Sequence, residues 1–223
     1  MKKAFVSVML MFIGVLASAQ SENDFGIVQE GGGVTVTGYA GTLTEIVIPA
    51  KISGLPVYSI GKNAFANKRL TKVTLPEGLK IIDESAFANN RLTSVVIPNT
   101  VISIVDDAFL NNQITELTLS NRLALLGSGA FQKNRIENLT IPASLDYISY
   151  GTFGGCPIKI LNLGGAKTVQ MAFSGSAVEK IMISANVTII PICGLDASFI
   201  NFYKDNGKKA GTYIKNDRIW IKQ

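Results

Sequence analysis

The 223-residue sequence contains no histidine, only two cysteines and a single tryptophan. The absence of histidine excludes Ser-His and Cys-His nucleophile pairs, and it also removes the usual ligand of zinc sites. Neither a phosphate-cradling Gly-x-x-x-x-Gly-Lys nor a dinucleotide-binding Gly-x-Gly-x-x-Gly is present. These absences predict a protein that is not an enzyme and that uses no metal or other cofactor.

Charged residues are also scarce, at 17% of the chain, and aromatic residues account for 8%. The 21 basic and 16 acidic side chains give a formal net charge of +5. This excess is too mild to indicate nucleic-acid binding. Hydrophobic residues make up 47% and glycine contributes 21 residues, which together favour one β-rich domain with a continuous core.

The first nineteen residues have the pattern of a secretory signal peptide. Lys2 and Lys3 precede an apolar run from Ala4 to Ala17, and a small-x-small cleavage site ends at Ala19. The run is short for a membrane span, and no cysteine follows the cut until Cys156. We therefore expect residues 1–19 to be removed and the mature chain, 20–223, to be periplasmic, surface-located or secreted, without a lipid anchor.

A repeated sequence motif extends through most of the remaining chain. Ala86-Phe87, Ala108-Phe109 and Ala130-Phe131 recur 22 residues apart. A motif of the form L-x-x-L-x-L recurs with them, beginning at Leu43, Leu70, Leu92, Ile114, Ile136, Ile158 and Val178. Its alternating end is typical of a short strand with one buried face. Seven such units predict a solenoid, because arrays of this kind need about three repeats for stability.

Two further columns recur at fixed positions in each unit. The aromatic column predicts a stacked spine on the side opposite the strands, and it comprises Phe65, Phe87, Phe109, Phe131, Phe153 and Phe173, with Leu195 as its last member. The column three residues later comprises Lys68, Asn90, Asn112, Asn134, Cys156 and Ser176. Asparagine there can hydrogen-bond the backbone of the neighbouring turn, whose amides would otherwise be unpaired.

Both ends of the repeat region, residues 43–199, have hairpin signals. A glycine turn joins two strand-like segments in residues 25–42, and Asn216-Asp217 joins two more in residues 200–223. Such hairpins would cover the open ends of the core, and we expect Tyr213 and Trp220 to plug the last one.

The sequence resembles the BspA-like, or Treponema pallidum-type, leucine-rich repeat proteins. The segment Ile97–Ile104 followed by Ala108-Phe109 is a close example of their repeat. The resemblance extends from about Phe25 to the ending Gly207–Tyr213 and Trp220. It implies a β-rich leucine-rich repeat solenoid of about seven 20–27-residue repeats, with a concave parallel β-sheet, a convex Phe spine and β-hairpin caps.

The same resemblance implies an exported module for protein–protein interaction, with adhesion to a host or extracellular-matrix protein as one candidate role. The alternative is a structural cell-envelope protein that assembles with itself or organises other envelope components. For the binding module we expect a monomer with an unidentified protein partner, no membrane span and no nucleic-acid partner.

Two cysteines in an exported protein usually suggest a disulfide. The resemblance places Cys156 in the Asn column as a buried thiol, and Cys193 follows about two units later. Two units separate Cα atoms by roughly 10 Å, beyond the roughly 7 Å that a disulfide tolerates. We therefore expect both thiols to be free.

Candidate binding residues are those that the repeat leaves free. On the predicted strand face they are Thr71, Lys72, Thr74, Thr93, Ser94, Val96, Thr115, Glu116, Thr118, Asn138 and Thr140. Thr and Val also suit any solvated sheet, so either a partner surface or plain β-propensity explains them.

A second candidate is a basic patch of Lys204, Lys208, Lys209, Lys215 and Arg218, which could attract an acidic surface or simply keep the cap soluble. The acidic pairs Asp83-Glu84 and Asp106-Asp107 precede Ala-Phe, where aspartate normally bonds local backbone.

Overall fold

The computed structural model describes residues 20–169, 172–190 and 194–223, and it forms a β-solenoid of short strands. The predicted signal peptide and Cys193 lie outside the described residues. A 3-10 turn, Glu22–Asp24, leads into the first strand, and Ser21 caps this turn.

In chain order the strands are β1 (Phe25–Glu30), β2 (Gly33–Tyr39), β3 (Glu45–Val47), β4 (Lys51–Ile52), β5 (Leu55–Ile60), β6 (Lys72–Thr74), β7 (Ile81–Ile82), β8 (Ser94–Val96), β9 (Ser103–Ile104), β10 (Glu116–Thr118), β11 (Leu125–Leu126), β12 (Asn138–Thr140), β13 (Tyr147–Ile148), β14 (Ile160–Asn162), β15 (Thr168–Val169), β16 (Lys180–Ile183), β17 (Thr188–Ile189), β18 (Gly211–Asn216) and β19 (Ile219–Lys222). Helix α1 (Ala197–Asp205) lies between β17 and β18.

The first ladder is formed by the predicted L-x-x-L-x-L strands, one from each of the seven units. These strands are β3, β6, β8, β10, β12, β14 and β16, and where they pair with one another they run parallel. The central residue of each three-residue strand points inward, as with the buried Val73 and Val95. The predicted leucine-rich repeat solenoid is therefore confirmed, with its strands at the expected register.

A second ladder runs along the solenoid beside the first. It contains β5, β7, β9 and β11, and then β13, β15 and β17, all in parallel pairs. The N-terminal hairpin extends it, because β2 pairs in parallel with β5. The inward residues Ile82 and Ile104 belong to the apolar pairs visible in the sequence. Two-residue strands are too short to show an alternating pattern, so this second sheet was not predicted.

The phenylalanine spine is present as predicted from Phe65 to Phe173. Successive rings lie 5.0–5.8 Å apart between centroids and within 9° of parallel. This distance is close to the spacing of about 4.8 Å between neighbouring strands, so each ring stacks on the next without disturbing the ladders. Phe25 and Tyr39 cover the first ring, with centroids 6.2 and 5.8 Å from that of Phe65.

The asparagine column joins each turn to its neighbour. Asn112 Oδ1 accepts a hydrogen bond from the Leu92 backbone N–H at 3.1 Å. Its Nδ2 donates to the carbonyl oxygens of Phe87 and Phe109, at 3.0 and 3.2 Å. Asn90 and Asn134 repeat these contacts one unit away on either side. A single buried amide thus satisfies backbone groups from two successive repeats.

Cys156 takes the asparagine position in its own repeat. It is a free, fully buried thiol, as predicted, and its Sγ donates to the Phe131 carbonyl oxygen at 3.3 Å. This is the same acceptor position that the asparagines use.

The C-terminal cap differs from the prediction in one respect. It contains helix α1, which was not predicted and which spans the predicted boundary between repeats (43–199) and cap (200–223). Asp196 is the N-cap of this helix, and its Oδ1 accepts a hydrogen bond from Ser198 N at 2.8 Å. The predicted hairpin, β18 and β19, follows and pairs with β16. Tyr213 and Trp220 are buried against Phe199, as a plug of the core requires.

Replacing Asn112 by alanine is predicted to destabilise the fold by about 2–4 kcal/mol, because buried backbone groups of two repeats would lose their partner. Urea unfolding followed by circular dichroism measures this change. Asn112→Asp keeps the acceptor but sets a carboxylate against two carbonyls, so it should cost at least as much. The exposed Asn121→Ala is the control, with an expected change within about 0.5 kcal/mol. Equal effects of Asn112→Ala and Asn121→Ala would contradict the role of the column.

The Asp196 carboxylate is expected to make the folded protein less stable in acid. Its pKa is lowered from the ordinary 3.8, first by the hydrogen bond from Lys215 and then by those from Ser198. Because the folded pKa lies below the unfolded one, the stabilisation is present above pH 4 and disappears as the pH falls through the lowered value. Unfolding free energies at pH 7 and pH 3 should show wild type above Asp196→Asn at pH 7 and the difference shrinking at pH 3. A constant difference would contradict this account.

Candidate functional site

The strand face is the outward side of the first ladder, and it carries most of the predicted binding residues. Registered pairs across it include Ser94 beside Glu116 and Val96 beside Thr118. The same columns hold, outside these pairs, Lys72, Thr74, Asn138 and Thr140. Except for the half-buried Ser94, all of these side chains are exposed. The face therefore brings together residues from four repeats that are far apart in the sequence.

Aliphatic groups on this face are left in water. Val96 is 66% exposed and Val47 is 57% exposed, and Ile160 is also exposed. Burying a valine or isoleucine side chain stabilises a complex by about 1.5–3 kcal/mol relative to leaving it exposed. The face thus combines aliphatic contact points with threonine hydroxyls and a few charges.

A shallow groove of about 250 Å³ crosses the strand face between β6 and β8. Here the first ladder is interrupted, because β6 pairs with β3 whereas β8 pairs with β10. The groove is lined by four of the predicted residues, namely Lys72, Thr74, Ser94 and Val96, together with Glu77 and Pro98 among others. These four are therefore the members of the predicted set that the structure draws into one concave feature.

The threonines at the edge of the face also have a local role. Thr71 Oγ1 donates to the Thr44 carbonyl oxygen at 3.3 Å, and Thr115 Oγ1 donates to the Thr93 carbonyl oxygen at 3.3 Å. These hydroxyls therefore contribute to contacts between repeats. Thr93, which is also a predicted binding residue, is exposed. It takes part in these contacts through its backbone carbonyl, which accepts the hydrogen bond from Thr115.

The predicted basic patch is divided by the cap. Lys215 Nζ lies 2.6 Å from Asp196 Oδ2 in an ion pair, which removes it from any free patch. Lys204 and Lys208 line a pocket of about 50 Å³ beside Tyr203. Lys209 and Arg218 are exposed, the latter in the turn between β18 and β19.

Cys156, Asp83 and Asp106 each make a hydrogen bond to the backbone of the solenoid. Burial raises the pKa of the Cys156 thiol to about 11, so it is protonated at neutral pH. Asp106 Oδ1 accepts a hydrogen bond from Ser128 N at 2.7 Å, and Asp83 Oδ1 accepts one from Glu84 N at 2.7 Å. Burial and the neighbouring Asp106 and Glu84 raise the pKa of Asp107. In the part of the chain that the structure describes, no three or more Cys, Asp, Glu or His residues form a group that could hold a metal ion.

Two surfaces were not identified from the sequence. The second ladder exposes the apolar side chains of Leu125 and Tyr147, and Ile102 is exposed directly before β9. A polar groove also lies along the turns that connect the Phe spine to the first ladder, and it contains Arg69, Arg91 and Arg135. The 22-residue multiples that separate these arginines were the available signal.

Comparison with protein families places this architecture in a known class. The parallel ladders, the stacked phenylalanines and the asparagine column define a leucine-rich repeat solenoid. The family model for the BspA type leucine-rich repeat region matches residues 58–179 and 126–199, with six copies. These matches cover more than half of the chain, so it belongs to the BspA-type leucine-rich repeat family.

Solved structures share the fold. A leucine-rich repeat protein of T. pallidum is 23% identical over 70% of this chain and 88% of its own, with a TM-score of 0.56. One from Eubacterium ventriosum is 19% identical over 86% of this chain and 44% of its own, with a TM-score of 0.50. A comparison with curated proteins found no match. At these identities the similarity shows the fold alone.

Within the described ranges, no helix combines the length and the hydropathy needed to cross a membrane.

Proposed function

We propose that this chain is an exported binding module that contacts a protein partner through the strand face, at the groove between β6 and β8. The observation that carries this proposal is the exposure of Val96, 66% of whose surface is in contact with solvent at the rim of that groove. A partner that covers it gains apolar burial. Solenoids offer extended surfaces of this kind, since each repeat adds one strand to the sheet.

The groove residues suit a partner that brings both apolar and charged groups. Val96 and Pro98 supply the apolar part of the lining, and Lys72 and Glu77 supply charges of opposite sign. Interfaces commonly place aliphatic groups at the centre and charges at the rim. Export rests on the pattern of residues 1–19, and adhesion to a host or matrix protein is the role that the family suggests.

Structural assembly in the cell envelope is the second candidate, and one observation favours it. Strand β19 is the last strand of its sheet, and its Ile219 is 69% exposed. An apolar edge strand can pair with a second copy. Light scattering on the mature chain separates the two candidates. A stable monomer at all concentrations supports the binding module, and mass that grows with concentration supports assembly.

Replacing Thr74 and Val96 by lysine should weaken partner binding, because two charges would enter the proposed contact. The mature chain, residues 20–223, is immobilised and tested by biolayer interferometry against a panel of purified extracellular-matrix proteins and envelope proteins. For any partner that wild type binds, we expect the affinity of Thr74→Lys/Val96→Lys to fall at least about tenfold.

The matched control adds the same two charges away from the strand face, as Ile102→Lys/Leu125→Lys, at two exposed apolar positions, one directly before β9 and one in β11. This control should bind as wild type does. Unchanged binding by the strand-face variant, or an equal loss in the control, would show that the strand face is not the site.

A further inference from the structure

The polar groove along the turns is lined by only two kinds of side chain. Its volume is about 480 Å³, and it is lined by Asn67, Arg69, Asn89, Asn90, Arg91, Asn111, Asn112, Gln113 and Arg135. Every lining residue is therefore an amide or an arginine. No acidic, aromatic or aliphatic side chain contributes to it.

The repeat itself arranges these side chains in rows. One row is Arg69, Arg91, Gln113 and Arg135, at equivalent positions of successive repeats. A second row is Asn67, Asn89 and Asn111, each with a left-handed backbone, at φ of 59°, 57° and 55°. Asn111 Nδ2 donates to Asn89 Oδ1 at 2.9 Å, so neighbouring amides are held in line. Neighbouring members of a row are spaced by about one strand separation, roughly 4.8 Å.

Among the described residues, no carboxylate forms an ion pair with the three guanidinium groups of the groove. The ion pairs between described residues involve four lysines, Lys62, Lys159, Lys167 and Lys215, and none of the groove arginines. Arg69, Arg91 and Arg135 are all exposed. Like charges in a row repel one another, and an anion seated between them relieves that repulsion while accepting bidentate hydrogen bonds.

We propose that the polar groove binds an extended acidic polysaccharide of the uronate type. Sugar carboxylates would pair with the arginines, and ring hydroxyls would exchange hydrogen bonds with the amides of Asn67, Asn89 and Asn111. Both groups of such a polymer recur along its length, as the two rows of the groove do. This site is separate from the strand face and does not depend on the protein-binding role proposed for it.

The groove fits an acidic peptide or a nucleic acid less well. Side chains on one face of an extended peptide recur roughly every 6.8 Å, which does not keep register with rows spaced at about 4.8 Å. Single-stranded nucleic acids bind through aromatic stacking, and no aromatic side chain lines the groove.

The test is calorimetric titration of the mature chain with oligogalacturonate, with dextran as a neutral polymer and poly-glutamate as an acidic peptide. Wild type should bind oligogalacturonate and not dextran. Arg69→Gln/Arg91→Gln/Arg135→Gln should weaken this binding at least about tenfold, since hydrogen bonds between ionised groups are lost.

The matched control removes three positive charges outside the groove, as Lys51→Gln/Lys80→Gln/Arg122→Gln, at three exposed positions. It should change the affinity by less than about twofold, which excludes an effect of net charge alone. Circular dichroism and thermal unfolding verify that both triple variants remain folded.

Gln113→Arg provides an opposite test that does not depend on a loss. It completes the arginine row between Arg91 and Arg135, and it should tighten oligogalacturonate binding several-fold. Three results would each overturn the proposal: no binding by wild type, unchanged binding in the groove triple variant, or poly-glutamate binding as tightly as oligogalacturonate through the same arginines.

Discussion

Contact between successive repeats is the constraint on which the rest of this structure depends. Each repeat is too short to bury its own apolar face, so stability comes from the next repeat along the stack. Stacked rings such as Phe87 and Phe109, 5.1 Å apart, supply the apolar part of that contact. Asn112 supplies the polar part, because its amide satisfies backbone groups that would otherwise be buried without partners. Both interactions determine the residue type at their positions. The side chains of the Phe spine and the Asn column are therefore not available to bind a partner.

The positions available for function are those that the stack leaves exposed, and they form separate surfaces. The strand face presents aliphatic groups around Val96, which suit a protein. The polar groove presents amides and arginines, which suit a polyanion rich in hydroxyl groups. The repeat period lines up equivalent residues from neighbouring turns, so a single arginine or valine that recurs in the sequence becomes a row on the surface. One solenoid can therefore offer two chemically different surfaces.

The repeat made the fold predictable, because one alignment of seven units places every first-ladder strand and every ring of the spine. Elements outside the period were harder to predict. Helix α1 has nine residues, and its buried Phe199, Ile200 and Tyr203 were too few to reveal a helical period in advance. The polar groove combines residues from the turns of several repeats, and only the three-dimensional register shows that Arg69 and Arg91 line the same feature. The ion pair between Lys215 and Asp196 likewise depends on how the cap folds back.

A double-mutant cycle on the spine tests the central claim most directly. Unfolding free energies are measured for Phe87→Leu, Phe109→Leu and the double variant, and for the distant pair Phe65 and Phe131 in the same way. Stacking between nearest neighbours predicts a coupling of about 0.5–1.5 kcal/mol for the adjacent rings. The distant pair should be additive within about 0.5 kcal/mol. Equal coupling in the two pairs, or none in the adjacent pair, would contradict the account of a stack held together by contacts between neighbouring repeats.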